Sequence, residues 1–144
     1  MPMIDVYTPD DLFPTDADQQ LATDLTFAVL RAEGHTEPVI GAFFTENTAA
    51  FVHRLPQVTT AANPTARAVR VQVITPPDSL DREGQRQLTR EATQIVTDLV
   101  GEGGVQVWVI ISEAAEGGWG LFGTAFGKPE FAALAAKAAA AREG

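Results

Sequence analysis

The feature that most constrains this chain is a tandem likeness within it. Displacing the sequence by 67 positions lays Val6 on Val73, Thr8 on Thr75, Pro9 on Pro76 and Asp11 on Asp78. The same displacement lays Gln20 on Gln87, Leu21 on Leu88, Thr26 on Thr93 and Gly34 on Gly101. Composition alone would give roughly two or three such matches over a span of this size. Both copies read in the same order. Met3–Tyr7 and Val69–Ile74 are β-prone runs closed by Thr-Pro turn chemistry. Thr15 is placed to cap a first helix, with Asp16 and Asp18 in its opening turn. Leu21, Leu25, Ala28, Val29 and Ala32 recur at helical spacing, and Gly34 is a stop. A second helix begins at about Asp81, carries Leu88, Ala92, Ile95, Val96 and Leu99, and stops near Gly101.

Each helix is followed by another strand, Ala49–Leu55 in the first copy and Val105–Ile111 in the second. The latter is apolar throughout, which suits a strand buried on both faces or packed between chains. Two βαβ units imply right-handed crossovers and an α+β fold, a four-stranded mixed sheet with two helices on one face. The units span about 2–56 and 69–127, and Pro129 opens a C-terminal helix over about 129–142. Residues 1–144 then form one domain. Its second sheet face needs a cover, which self-association would supply.

Composition removes several classes of function. The net charge of -9 argues against nucleic acid or an anionic membrane as partner. With no cysteine and two histidines, His35 and His53, thiolate chemistry and a zinc cluster within one chain are not expected. The start lacks the basic and apolar regions of a signal peptide, and no apolar run reaches the roughly 18 residues of a membrane span. A cytoplasmic location is the default expectation.

Pro2 is the residue with unusual chemistry. If Met1 is removed, its ring nitrogen becomes a free secondary amine. An α-amino group titrates at roughly 7.7–8.0, and withdrawal from water lowers that value toward the range of a neutral-pH base. Such an amine could move a proton on carbon beside a carbonyl, or attack the carbonyl itself. His53 reads as structural and Arg54 as a surface or intersubunit ion pair.

Pro2, the βαβ unit, its tandem copy and the Gly-rich segment VWVIISEAAEGGWG at 107–120 together resemble the tautomerase superfamily. The second unit is similar to 4-oxalocrotonate tautomerase. EGH at 33–35, FVHRLP at 51–56 and the Gly-Trp pair at 118–119 resemble macrophage migration inhibitory factor. The resemblance covers about residues 2–127 and implies a homotrimer of two-unit chains with the N-terminal proline as catalytic group. No metal or organic cofactor is implied. The implied substrate is a small 2-keto or enol acid, with an apolar part to suit the aromatic surroundings.

The arginines of the better-known members are missing. One aligns with Trp108 and Ala49, another falls near Phe13 and Leu80, and the Pro76–Leu80 turn has no arginine pair. If the central strands run antiparallel, Arg82 is the nearest candidate cation. By the resemblance, His35 matches a loop lysine, Trp108 stands where relatives present an aromatic to a neighbouring chain, and Trp119 walls a pocket or packs the hairpin. A competing reading is a non-catalytic binding or regulatory module of ferredoxin-like βαββαβ order, because fold alone does not confer activity. A member of the same fold with little activity is a further one.

Overall fold

The computed structural model describes residues 1–35 and 40–144, and places the two strands related by the repeat side by side at the centre of one sheet. Strand β1 (Met3–Pro9) and strand β3 (Ala68–Thr75) run antiparallel, with Met3 opposite Ile74 and Val6 opposite Val71. Each has a parallel partner outside it: β2 (Ala49–Leu55) beside β1, and β4 (Gln106–Glu113) beside β3. The sheet order is therefore β2-β1-β3-β4. This is the α+β arrangement expected of two βαβ units.

Helices α1 (Asp18–Ala32) and α3 (Arg82–Val100) pack against each other and against β2 and β4 respectively. The alternation of each strand explains why only one sheet face is covered. Ile4 and Val6 of β1 and Val69, Val71 and Val73 of β3 are buried in the main core with Leu21, Leu25, Val29, Leu88 and Val96 of the helices. Leu21 and Leu88 are a repeat pair, and so are Val29 and Val96; all four are buried, so the two copies contribute equivalent core positions.

The opposite sheet face is open in the single chain. Phe51, Trp108 and Ile110 lie on it, with 52%, 42% and 45% of their surfaces exposed, a large apolar area for a free surface. Between them Tyr7 stacks on His53 at 4.4 Å, Arg70 lies over the Tyr7 ring, and His53 Nε2 is 2.6 Å from Asp5 Oδ1. Strand β4 is thus divided: Val107, Val109 and Ile111 pack on the core while Trp108 and Ile110 face outward.

One local expectation is corrected. Thr15 does not cap the first helix; Thr15–Ala17 form a 3-10 turn that leads into α1, and no side chain caps either. Arg54 makes an ion pair within the chain, with Asp18. Its guanidinium binds both carboxylate oxygens of Asp18 and donates to the carbonyls of Asp10, Phe13 and Pro14. It takes up the acid at the start of α1, and it ties the loop after β1 to β2. The second helix follows the expected pattern more closely: Asp81 accepts from Gly84 N at 2.7 Å as its N-cap, and Gly101 follows its last residue with φ +73°.

The first crossover is the longer one. Val6 pairs with Val52, 46 positions on, whereas Val73 pairs with Ile111, 38 positions on. The extra chain includes a short helix, α2 (Ala42–Glu46). After β4 a two-stranded hairpin, β5 (Trp119–Leu121) and β6 (Thr124–Phe126), leads into α4 (Lys128–Glu143). Glu116 and Glu130 accept from the main-chain nitrogens of Lys128 and Gly127 at 2.8 Å, which fixes the start of α4. Phe131 then packs edge-on against Phe126. Among the described residues no helix is long and apolar enough to cross a membrane.

Candidate active site

The antiparallel pairing of β1 with β3 brings the N-terminus to a junction of several elements. Met3 lies opposite Ala49 at the start of β2 and opposite Ile74 near the end of β3. Met1 and Pro2, just ahead of it, are both buried. Met1 borders a cavity of about 280 Å³. Met1, Glu33 and His35 form its polar end, and Phe43, Phe44 and Phe131 much of its apolar wall. The Pro76–Ser79 turn and one side of α4 (Leu134, Ala135 and Ala138) close the remainder.

The polar end is built by the way α1 stops. Gly34 has φ +90°, a conformation that costs an L side chain about 1–2 kcal/mol and glycine nothing. The amides of Gly34 and His35 turn back to the carbonyls of Arg31 and Leu30 at 2.9 and 3.0 Å, a Schellman-type reversal. Glu33 and His35 are therefore presented on either side of one tight turn. The His35 ring lies 4.2 Å from Phe44, and its Nε2 is 3.9 Å from Glu33 Oε2.

The terminal nitrogen of Met1 is 3.8 Å from Glu33 Oε2, and the Glu33 side chain is only 4% exposed. Burial lowers the affinity of the amine for its proton, and the Glu33 carboxylate opposes that shift. Burial raises the Glu33 carboxyl above the ordinary carboxylate range, opposed in turn by the terminal ammonium. Glu33 Oε1 is buried without a hydrogen-bond partner among the described residues. At the rim, Lys128 Nζ pairs with Asp78 at 2.8 Å in full solvent.

Of the residues singled out in the sequence, His35 lines this cavity, and Pro2 is buried directly after Met1, which also lines it. Arg82 lines a separate groove of about 470 Å³ with Arg86, Arg90, Val109 and Ile111, and donates to Gln85 at 3.3 Å. Antiparallel pairing does bring the end of β3 beside the start of β1, but the turn after β3 carries Arg82 onto α3, away from the N-terminal cavity. Trp108 borders a small apolar pocket on the open sheet face with Tyr7, Leu55, Val58, Val69 and Arg70. Trp119 is buried within the hairpin, opposite Phe126.

Sequence reasoning passed over Glu33, Phe43, Phe44 and Phe131. The adjacent phenylalanines in an otherwise irregular stretch were the available signal for a cavity wall. Among the described residues no group of three or more His, Asp or Glu is placed to hold a metal ion.

No family model matches the sequence, and no curated protein matches it at sequence level. The fold, by contrast, is found repeatedly among solved structures. A fused 4-OT described as an asymmetric trimer is 17% identical, with 92% of this chain and 98% of that one covered and a TM-score of 0.70. The macrophage migration inhibitory factor-like protein of Entamoeba histolytica is 13% identical, with 87% and 98% covered and a TM-score of 0.68. Pt0534, solved after inactivation by 2-oxo-3-pentynoate, is 15% identical, with 85% and 93% covered and a TM-score of 0.68.

Proposed function

We propose that the protein is a cofactor-independent keto–enol tautomerase of a small 2-keto or enol acid, with Pro2 as general base once Met1 has been removed. The observation that carries this reading is the burial of the chain terminus beside an apolar cavity. A terminal amine there is desolvated and holds its proton less tightly, as the Met1 amine does. The Pro2 nitrogen inherits that environment when it becomes the terminus, and titrates closer to neutrality. Its unprotonated form takes a proton from the carbon beside the substrate carbonyl and returns one in the reverse direction. β1, held on both sides by neighbouring strands, fixes the amine in place.

Phe43, Phe44 and Phe131 suit the apolar part of a phenylpyruvate-like substrate. His35, rather than Arg82, is the cation assigned to its carboxylate within the protomer. We assign the chain to a homotrimer whose protomers meet through the open sheet face. The support is the exposure of Phe51, Trp108 and Ile110, together with the trimeric state of the fused 4-OT structure. Trp108 then reaches the cavity of a neighbouring protomer, and Trp119 supports the hairpin. Inactivation of Pt0534 by an acetylenic 2-keto acid is in keeping with this substrate class.

A non-catalytic module with the same fold is the competing reading, and the observation on its side is that no arginine or lysine is among the described residues lining the cavity. Intact mass of the purified protein and the ketonisation of phenylpyruvate enol decide between them. The enzyme reading requires loss of Met1 and a fall of about 10²-fold or more in Pro2→Ala, the usual scale for a general base. Retention of Met1, or equal rates for the two proteins, would refute it.

A further inference from the structure

Tautomerisation needs a second group, because the carbonyl oxygen gains charge as the carbon loses its proton. Beside the terminal amine stands a carboxyl that the mechanism above leaves idle. Glu33 is almost fully buried, borders the cavity, and has one oxygen without a partner among the described residues. A buried polar atom left unmade is costly, so a group placed this way is suited to a bond formed only when a ligand is present.

The position of Met1 shows where such a ligand would lie. Met1 is buried, lines the cavity and directs its amine at Glu33 Oε2. Adjacent Cα atoms are about 3.8 Å apart, so loss of Met1 draws the terminus back by one residue and frees a residue-sized volume between Pro2 and Glu33. The atom that now meets Glu33 is a polar group at the end of that volume. A substrate occupying it would place its own polar atom there, with its reacting carbon toward Pro2.

We propose that Glu33 is the acid partner of Pro2, its protonated carboxyl donating to the carbonyl oxygen of a substrate lodged in the volume that Met1 vacates. The inference rests on the Pro2 reading above. In the enolising direction the Pro2 nitrogen takes the proton from carbon, and the C–H electron pair becomes the C=C bond. The carbonyl π pair moves to oxygen, which takes the Glu33 proton. The enol leaves a Pro2 ammonium facing a Glu33 carboxylate, the same charge pair that the Met1 amine and Glu33 make in the structure. Return of the proton from nitrogen to carboxylate resets the site without a co-reactant.

The surroundings of Glu33 keep it suited to that role. Among the described residues, the charged groups near it are the chain terminus and His35 at 3.9 Å. Arg31, on the last turn of α1, reaches Glu91 of α3 at 2.8 Å, and Asp78, across the cavity, is paired with Lys128. Burial favours the protonated, uncharged carboxyl over the carboxylate, and in that state it does not repel an anionic substrate.

The test compares wild type, Glu33→Gln, Glu33→Leu and Pro2→Ala for pH profiles of phenylpyruvate ketonisation, with a 13C NMR titration of the Glu33 carboxyl in the wild-type protein. We expect an alkaline limb in the wild-type kcat/KM profile that coincides with the Glu33 titration and is absent in Glu33→Gln. That variant, which can hydrogen-bond but not donate a proton, should lose about tenfold or more, and Glu33→Leu about 10²-fold or more. A Glu33→Gln profile with the wild-type limb and rate, while Pro2→Ala is inactive, overturns the Glu33 assignment and leaves Pro2 standing. Equal activity in Pro2→Ala overturns both. If the variants do not fold, a Glu33 that titrates in the ordinary carboxylate range in wild type overturns the assignment by itself.

Discussion

Replacing Gly84 with alanine probes how the helix pair holds the site. In an exposed helix such a change gains about 0.8–1.0 kcal/mol of helix propensity. Gly84 is buried in the first turn of α3, and the direction of its missing side chain decides the outcome. A Cβ there would sit 2.5 Å from the carbonyl oxygen of Ala32 and 3.0 Å from Leu80 Cδ2. Ordinary contact begins near 3.4 Å, so the main chain at the end of α1 must retreat by most of an ångström. Overpacking of this kind costs roughly 1–3 kcal/mol. Set against the gain in propensity, the net loss reaches about 2 kcal/mol, a fall in Tm of up to roughly 4–8 °C for a chain of this length. Ala32 directly precedes Glu33, so the displacement passes into the polar end of the cavity. Gly84→Ala should therefore lose activity as well as stability. Thermal unfolding at matched protein concentration reads the first effect and phenylpyruvate ketonisation the second. A Tm equal to or above that of wild type would refute the close-approach reasoning.

Three further outcomes follow from the same structure. Arg54→Ala should cost about 2–3 kcal/mol in urea unfolding, less than a fully buried pair because the Asp18 side chain is 33% exposed, but well above a surface one. Trp108→Glu, which sets a charge on the open sheet face, should shift the sedimenting species from trimer to monomer. Wild-type behaviour would remove that face from the interface. Glu33 also predicts a pH signature of stability. Its folded carboxyl titrates above the ordinary value of 4.5, so its contribution is fully present below that value and is lost as pH rises through the folded value. Wild type should accordingly lose stability relative to Glu33→Gln as pH rises from about 4.5 toward the folded value, read as the difference in Tm between the two. A pH-independent difference would contradict the burial of this acid.

The fold was legible in the sequence because its determinants are local and repeated. Thr8-Pro9 and Thr75-Pro76 close two strands in the same way, and Leu21/Leu88 and Val29/Val96 fill equivalent places under the sheet. Gly34 and Gly101 both follow helices at positive φ. Segments with those periods bury their apolar faces by layering the helices on one face of the sheet, one of the few stable solutions. The site obeys different rules. Arg82 seemed close to Pro2 because strand pairing brings the turn after β3 near the N-terminus, but a helix start rotates successive side chains by about 100°, and that rotation carries Arg82 into another groove. Glu33 looked like one more acid at the end of an amphipathic helix, in a chain with many. Its distinction is burial against the terminus, a contact between positions 1 and 33 that periodicity does not encode. Glycine at 34 is the one local trace of it, since the reversal it permits is what turns both of its neighbours toward the same cavity. A residue's capacity for chemistry in this fold is thus set where the chain ends meet the helix stops, and the strongest sequence signals lie elsewhere, in the strands and helices that hold those points together.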